Sequence, residues 1–308
     1  MYNPSLITLD WGTSNLRASL LDQNAQELDR RSAPGGIMAV KDGLFSGALF
    51  SLIGDWLEKH SCPLIASGMI GSRQGWKEAP YLDCPATLEQ AAMNLTPVEI
   101  DLPQKTCVTP RLHIAPGLRC AEPNGQFDVM RGEETQVWGA QIQPGSLCIL
   151  PGTHSKWAWI EAEGSIGRFR TYMTGELYGL LTKHSILGRL MTFGVHCPAE
   201  FRKGVRIGVE SPQQASHVIF SARTAGLMGV IPPEGLPDYL SGILIGLEIA
   251  AAMEAHGSAL PGVTLIGNDD LCALYEIAFE SIGVVATRAH PNATTRGQWM
   301  IAKHAGLV

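Results

Sequence analysis

The 308-residue chain carries 29 acidic and 23 basic residues, for a net charge of −6, and it is 45% apolar and 17% charged. That length accommodates two domains of ordinary size, and that apolar fraction supports packed cores. No run of Lys or Arg marks a nucleic-acid or membrane surface, and neither a transmembrane helix nor a signal peptide is expected, because apolar stretches are short and MYNPSLITLD has no basic leader. A small anionic ligand stays open, since a local pocket can be basic on an acidic protein.

In chain order, apolar patterning predicts strands at 5–10, 16–22 and 26–33, a Gly/Pro loop, and a helix from Phe45 to His60 with Leu49, Leu52, Ile53 and Trp56 at helical spacing. A short strand in PLIASG runs into the glycine-rich GMIGSRQGW. Between 79 and 109 the pattern predicts a short helix at 86–94 and little else. A strand at 112–115 follows, then a loop through FDVMR and a helix over 132–141, stopped by Pro144-Gly145.

After that stop the opening pattern recurs. SLCILPGTHSKWAWIEAEGSIGRFRTY repeats the layout of SLITLDWGTSNLRASLLDQNAQELDRR: strand, Gly-Thr turn, strand, tight turn, strand. Such a repeat predicts two similarly folded halves, 1–140 and 141–308, and leaves open a return of the last helix to the first half. Helices are predicted near 175–191, 199–209, 212–228 and 236–257. A strand in GVTLIG, a helix at 271–283, a strand in VVATR and a helix at 294–306 complete an α/β pattern.

The seven cysteines (Cys62, Cys84, Cys107, Cys120, Cys148, Cys197, Cys272) are scattered without zinc-ligand or redox spacing, and the nine histidines are equally dispersed. They read as small apolar fillers in a reducing cytoplasm, with no transition-metal site built from protein ligands.

The chemistry concentrates in the paired turns. Gly12 and Thr13 expose backbone N–H groups, and Ser14, Asn15 and Arg17 add donors, a set that favours anions. Asp10 would repel phosphate unless Mg²⁺ stood between, and Mg²⁺ prefers a carboxylate, waters and phosphate oxygens together. In the second turn Gly152, Thr153, His154 and Ser155 repeat the arrangement, with Lys156 as the positive partner. Taken singly, D-x-G-T is a common turn and Lys156 an ordinary surface lysine. The pairing is what points to a nucleotide phosphate chain, with Mg²⁺ between it and Asp10.

LDWGTSNLRASLLD with LPGTHSKWAW resembles the sugar-kinase, actin and heat-shock ATPase superfamily. DVMRGEETQVWGA, LPGTHSKW, TYMTGELYGLL and LIGNDDLCALY together resemble the 2-dehydro-3-deoxygalactonokinase family over nearly the whole chain. The resemblance implies two ribonuclease-H-like domains, with mixed sheets flanked by helices, facing each other across a cleft. It implies transfer of the γ-phosphoryl of ATP to the 6-hydroxyl of 2-dehydro-3-deoxy-D-galactonate. Asp10 then takes the magnesium-associated position, and Gly267, Asn268 and Asp269 fall where the adenosine-binding loop comes. Leu150 and Pro151 stand where many members keep another acid, so no metal role is expected of the second turn.

Three acids compete for the base that accepts the hydroxyl proton: Glu133, Glu134 and Asp128. Glu133 and Glu134 would also serve simply as first-turn acids favoured by the helix dipole. Likeness of RGEETQ to exopolyphosphatase and glycerol kinase segments favours Glu133, and hexokinase-like spacing keeps Asp128 in play. For the acceptor's carboxylate the candidates are Arg73, Arg119 and Arg131, since a guanidinium suits a carboxylate bidentately. Ser72, Gln74 and Trp76 would complete the glycine-rich loop, and Glu176 would accept a sugar hydroxyl or cap its own helix. An exopolyphosphatase-like hydrolase, another 2-keto-3-deoxy-acid kinase and an actin-like switch are the competing readings. The oligomeric state is not set by sequence, and a homodimer is left open.

Overall fold

The computed structural model describes residues 3–101, 110–122, 124–257, 260 and 262–308, so Cys107 lies outside the described residues. Two compact units emerge: Met1–Pro144 with Ile160–Phe169 and His290–Val308, and Gly145–Trp159 with Arg170–Ala289. Both mix strands and helices in an α/β arrangement.

In the first unit PSLITLDW forms β1 (Pro4–Trp11), buried at Leu6, Ile7, Leu9 and Trp11. β2 (Leu16–Asp22) returns antiparallel to it. Asp22 then turns the chain, its Oδ1 accepting from the N–H groups of Asn24 and Gln26, and β3 (Glu27–Ala33) begins. α1 (Phe45–Lys59) contributes Leu49, Ile53 and Trp56 to the core that holds Ile7 and Leu9. β4 (Leu64–Ser67) adds parallel to β1.

β5 (Tyr81–Asp83), α2 (Leu88–Met93), β6 (Thr96–Glu99), β7 (Arg111–Ile114), β8 (Gly117–Ala121), β9 (Phe127–Met130) and α3 (Glu133–Ala140) follow. The main sheet runs β3-β2-β1-β4-β7-β6, and β5-β8-β9 form a small second sheet. α2 starts on a capping box, Thr87 and Gln90 exchanging side-chain bonds to each other's N–H. β5, β6, β8 and β9 correct the sequence pattern, which predicts neither the strands flanking α2 nor any strand in the loop before α3. The small sheet's strands are too short for a sustained alternation, and Tyr81, Phe127 and Val129 are exposed on it.

The C-terminal helix (Ala293–His304) packs against α3 with backbones touching. A Cβ on Gly139 would lie 1.9 Å from the Ala293 carbonyl oxygen, and one on Gly297 would lie 1.9 Å from that of Thr135. Either substitution must force the helices apart.

In the second unit β10 (Leu147–Leu150) lies antiparallel to β11 (Ser155–Ile160), and β12 (Ile166–Tyr172) carries the chain onward; the last residue of β11 and the first part of β12, through Phe169, are assigned to the first unit. α4 (Thr174–His184), α5 (Pro198–Glu210), α6 (Ala215–Leu227) and α7 (Leu236–His256) come next. β13 (Val263–Leu265), α8 (Asp269–Glu280) and β14 (Ala286–Arg288) precede the C-terminal helix, which is α9. The sheet order is β12-β11-β10-β13-β14. β10 is antiparallel to β11 and parallel to β13, just as β1 is antiparallel to β2 and parallel to β4. The helical patterns at 175–191 and 212–228 each prove to be an α-helix joined to a single 3₁₀ turn.

α7 is long and apolar enough to cross a membrane, yet most of its apolar positions are buried within this unit. It meets α5 through two small-x-x-x-small pairs, Gly204 with Gly208 and Gly242 with Gly246. A Cβ on Gly242 would sit 2.1 Å from the Phe201 carbonyl oxygen, and one on Gly204 would sit 2.1 Å from that of Tyr239. This is a core helix.

Candidate active site

The first Gly-Thr turn closes with the Gly12 N–H donating to the Asn15 carbonyl at 3.0 Å. From the other side Ile37 N–H donates to the Gly12 carbonyl and Met38 N–H to that of Thr13. Gly36 lies so close that a Cβ there would fall 2.2 Å from the Thr13 carbonyl oxygen. The turn is therefore held from one face, while Thr13, Ser14 and Asn15 are exposed. Asp10 pairs in register with Arg17, whose Nη1 lies 3.1 Å from Oδ2. Burial raises the Asp10 pKa above the usual carboxylate value, and Arg17 opposes that rise.

The loop after β4 and the start of α3 close on this turn. Gly68 (φ +97°) approaches until a Cβ would stand 2.9 Å from the Trp11 carbonyl oxygen, and a Cβ on Gly132 (φ +110°) would stand 3.0 Å from the Gly68 Cα. The first turn, the 68–76 loop and the 131–134 segment thus gather beyond the carboxyl ends of β1 and β4, where α/β sheets bind ligands. Glu133 Oε2 accepts from the Arg131 N–H at 3.0 Å. Glu134 is fully buried, with both carboxylate oxygens against the Gly132 N–H (2.8 and 2.7 Å) and Thr135 Oγ1 donating to Oε1. Burial first, and the neighbouring Glu133 charge second, push its pKa up to about 8. Asp128 is half-buried in β9, opposite Cys120 of β8.

In the second unit the turn after β10 is held by the start of α4. A Cβ on Gly175 would meet the Gly152 carbonyl oxygen at 2.5 Å, Glu176 N–H donates to the Thr153 carbonyl at 3.0 Å, and the Glu176 carboxylate bonds the His154 ring. Thr153 and His154 are exposed. Ser155 turns inward instead, donating to the buried Glu248 at 2.7 Å. Lys156 is buried as well, its Nζ 3.3 Å from the His154 carbonyl oxygen, and so differs from an ordinary surface lysine. Gly267 lies alongside, where a Cβ would be 3.4 Å from the Pro151 carbonyl oxygen. Asn268 caps α8 by accepting from the N–H groups of Asp270 and Leu271, and exposed Asp269 pairs with Arg288.

The family profile described as 2-keto-3-deoxy-galactonokinase matches residues 10–301, a span that takes in both turns, the 68–76 loop and the start of α3. The chain belongs to the 2-keto-3-deoxy-galactonokinase family. It is 36% identical over 284 residues to the 2-dehydro-3-deoxygalactonokinase of Escherichia coli K12, covering 91% of each chain. It is also similar to a crystal structure from Sinorhizobium meliloti assigned as a 2-dehydro-3-deoxygalactonokinase, with a TM-score of 0.85, 32% identity and coverage of 97% of this chain and 98% of that one. A gluconate kinase from Lactobacillus acidophilus shares the fold alone, at TM-score 0.50 and 11% identity, covering 98% of this chain and 89% of that one.

In this galactonokinase-family chain the three candidate arginines differ sharply. Arg73 is exposed and paired with Glu78, and Arg119 is held by two bonds to Asp83 at 2.8 and 3.0 Å. Arg131 is buried, stacks over the Tyr81 ring at 4.2 Å and donates from Nη2 to the Ala79 carbonyl; its Nε and Nη1 have no partner among the described residues. Ser72 Oγ is buried and unpartnered too. A Cβ on Gly71 would meet Arg131 Nη1 at 2.9 Å, so the bare backbone admits the guanidinium. Gln74 is exposed, and Trp76 stacks on Phe45 (centroids 5.8 Å apart) with its edge to Trp11, as core packing.

Among the buried polar side chains that escape the sequence reading, Gln298 and Glu248 stand beneath the two turns. Gln298 donates to the Leu9 carbonyl (2.6 Å) and Ser67 Oγ (2.9 Å), fastening β1 to β4 directly beneath Asp10. Glu248 gathers donors beneath the second turn. Each is a polar residue on an otherwise apolar helical face, the one signal the sequence offers.

Proposed function

We propose that the chain transfers the γ-phosphoryl of MgATP to the 6-hydroxyl of 2-dehydro-3-deoxy-D-galactonate, yielding the 6-phosphate and ADP in cytoplasmic galactonate breakdown. The observation that carries this reading is the family match across residues 10–301. Two ribonuclease-H-like domains facing a cleft, 1–140 and 141–308 with the last helix returned to the first, belong to the same proposal, because one triphosphate must reach both Gly-Thr turns. The six described cysteines are free thiols, in keeping with a reducing compartment.

The residues divide the work chemically. No cluster of three His, Cys, Asp or Glu side chains among the described residues holds a metal unaided, and Mg²⁺ suits a single carboxylate, Asp10, with phosphate oxygens and water. Mg²⁺ arrives with ATP and neutralises phosphate charge. The exposed faces of the Gly12–Asn15 and Gly152–His154 turns, with Arg17 nearby, take the phosphates, and the Gly267–Asp269 loop takes the adenosine. Arg131, whose guanidinium retains unpaired donors, takes the sugar-acid carboxylate, and the buried, unpartnered Ser72 hydroxyl serves as a further partner for the acid. Glu133 accepts the hydroxyl proton. Glu134 is fully buried, with its carboxyl turned onto the Gly132 N–H and the Thr135 hydroxyl and its pKa pushed up to about 8, so the proposal gives it a structural role rather than that of the base.

The test is ADP release from MgATP across a panel of 2-keto-3-deoxy acids, with the product phosphate located by ³¹P NMR. Release that depends on the galactonate-derived acid, with phosphate on O6, is expected. Equal ADP release without any acceptor would identify a hydrolase and overturn the reading.

A further inference from the structure

Glu248 lies in the middle of α7 and is 3% exposed. Its Oε1 accepts from Ser155 Oγ at 2.7 Å and from the Trp157 indole N–H at 2.6 Å. Its Oε2 accepts from the Tyr275 hydroxyl at 2.7 Å and from Thr174 Oγ1. Those donors fill the acceptor capacity of a carboxylate, and the indole can only donate, so Oε1 must remain an acceptor.

The donors are placed where the candidate nucleotide site is built. Ser155 is the residue at which the 151–154 turn enters β11. Thr174 begins α4, and the next two residues press on the same turn, Gly175 against the Gly152 carbonyl and Glu176 N–H onto that of Thr153. Tyr275 belongs to α8, which starts at the loop beside Pro151. One buried carboxylate therefore fastens both flanks of the turn and the helix that follows the adenosine loop.

We infer that Glu248 is a positioning residue for the nucleotide: it fixes the second Gly-Thr turn against α4 and α8, so that MgATP affinity depends on a carboxylate at this place. The inference rests on the proposed kinase reading for the identity of the ligand. In Glu248→Gln the amide nitrogen settles at the Oε2 position, where two hydroxyls can rotate to accept but no longer draw α4 and α8 together by donating. Thr174→Val removes the α4 bond alone at nearly constant volume.

Binding of MgATP, as its non-hydrolysable imido analogue, is measured by calorimetry in wild type, Glu248→Gln, Thr174→Val and Val205→Ala. Val205 is buried in the same unit on α5 and serves as a stability control. Glu248→Gln is expected to weaken nucleotide binding by about tenfold, the scale of a lost hydrogen bond to a charged acceptor, and Thr174→Val by somewhat less. The KM for the sugar acid should stay within about twofold, and Val205→Ala should lower Tm while binding nucleotide as wild type does. If Glu248→Gln does not fold, Thr174→Val carries the test. Unchanged nucleotide affinity in a folded Glu248→Gln or Thr174→Val, or an equal loss in Val205→Ala, overturns the inference and leaves Glu248 as packing. If wild type binds the nucleotide but phosphorylates no sugar acid, the proposed substrate falls, while the same affinity pattern still supports the role of Glu248.

Discussion

Gly132 and Gly68 meet through bare backbone: a Cβ on Gly132 would stand 3.0 Å from the Gly68 Cα, and Gly132 holds a φ of +110°. This contact joins the loop after β4 to the start of the helix that carries Glu133. Gly132→Ala is expected to lose about 1–3 kcal/mol of stability, from the strained φ and the displaced loop together, as read by urea denaturation. Turnover should fall further than stability predicts, because Glu133 moves with the helix start. Wild-type stability and turnover in Gly132→Ala would show that the two segments accommodate a side chain freely.

Replacing Glu133 with Gln keeps its size and removes its basicity. Turnover should drop by about 10²–10⁴-fold, with the KM for ATP nearly unchanged. Asp128→Asn, in the small sheet, should keep turnover close to wild type. The reverse result in steady-state kinetics would transfer the base role to Asp128.

Arg131→Lys retains charge but loses the planar fork. The KM for the sugar acid is expected to rise by about 10–100-fold with the KM for ATP flat, the scale of a lost charged hydrogen bond. Arg73→Ala and Arg119→Ala, whose guanidinium groups are already spent on surface pairs, should change either constant by less than about twofold. A larger effect from Arg119→Ala than from Arg131→Lys would move the carboxylate site.

Glu134 supplies a pH signature. Its folded pKa of about 8 lies above the ordinary 4.5, so between those values the folded protein holds a proton that the unfolded chain has released. Its contribution to stability is therefore full below 4.5 and is lost as pH rises through about 8. Urea midpoints of wild type should fall relative to Glu134→Gln across that window, by on the order of a kcal/mol per pH unit, and level off above it. Parallel pH profiles for the two proteins would mean that the carboxyl is ionised in the folded state.

The strand–turn–strand units, most helices and the family motifs were legible in the chain itself, because each rests on a local signal. β1 and β10 announce themselves by apolar runs that end in Gly-Thr, and the stop after α3 by Pro-Gly. The short strands β5, β8 and β9 were not legible, since three to five residues with exposed apolar side chains carry no usable period.

Sequence by itself determined where the α/β pattern starts and restarts, which family the motifs resemble, and which residues compete for each role. Only tertiary structure showed how differently those competitors are placed. Arg131 keeps buried, unpartnered donors while Arg73 and Arg119 pair with acids at the surface, Ser155 turns away from its own turn toward a residue 93 positions on, and Gln298 reaches back 289 positions to β1. The physical reason is distance along the chain. Periodicity and turn chemistry act over a few neighbouring residues, whereas the pairing of a buried polar group depends on whichever remote segment folding brings against it.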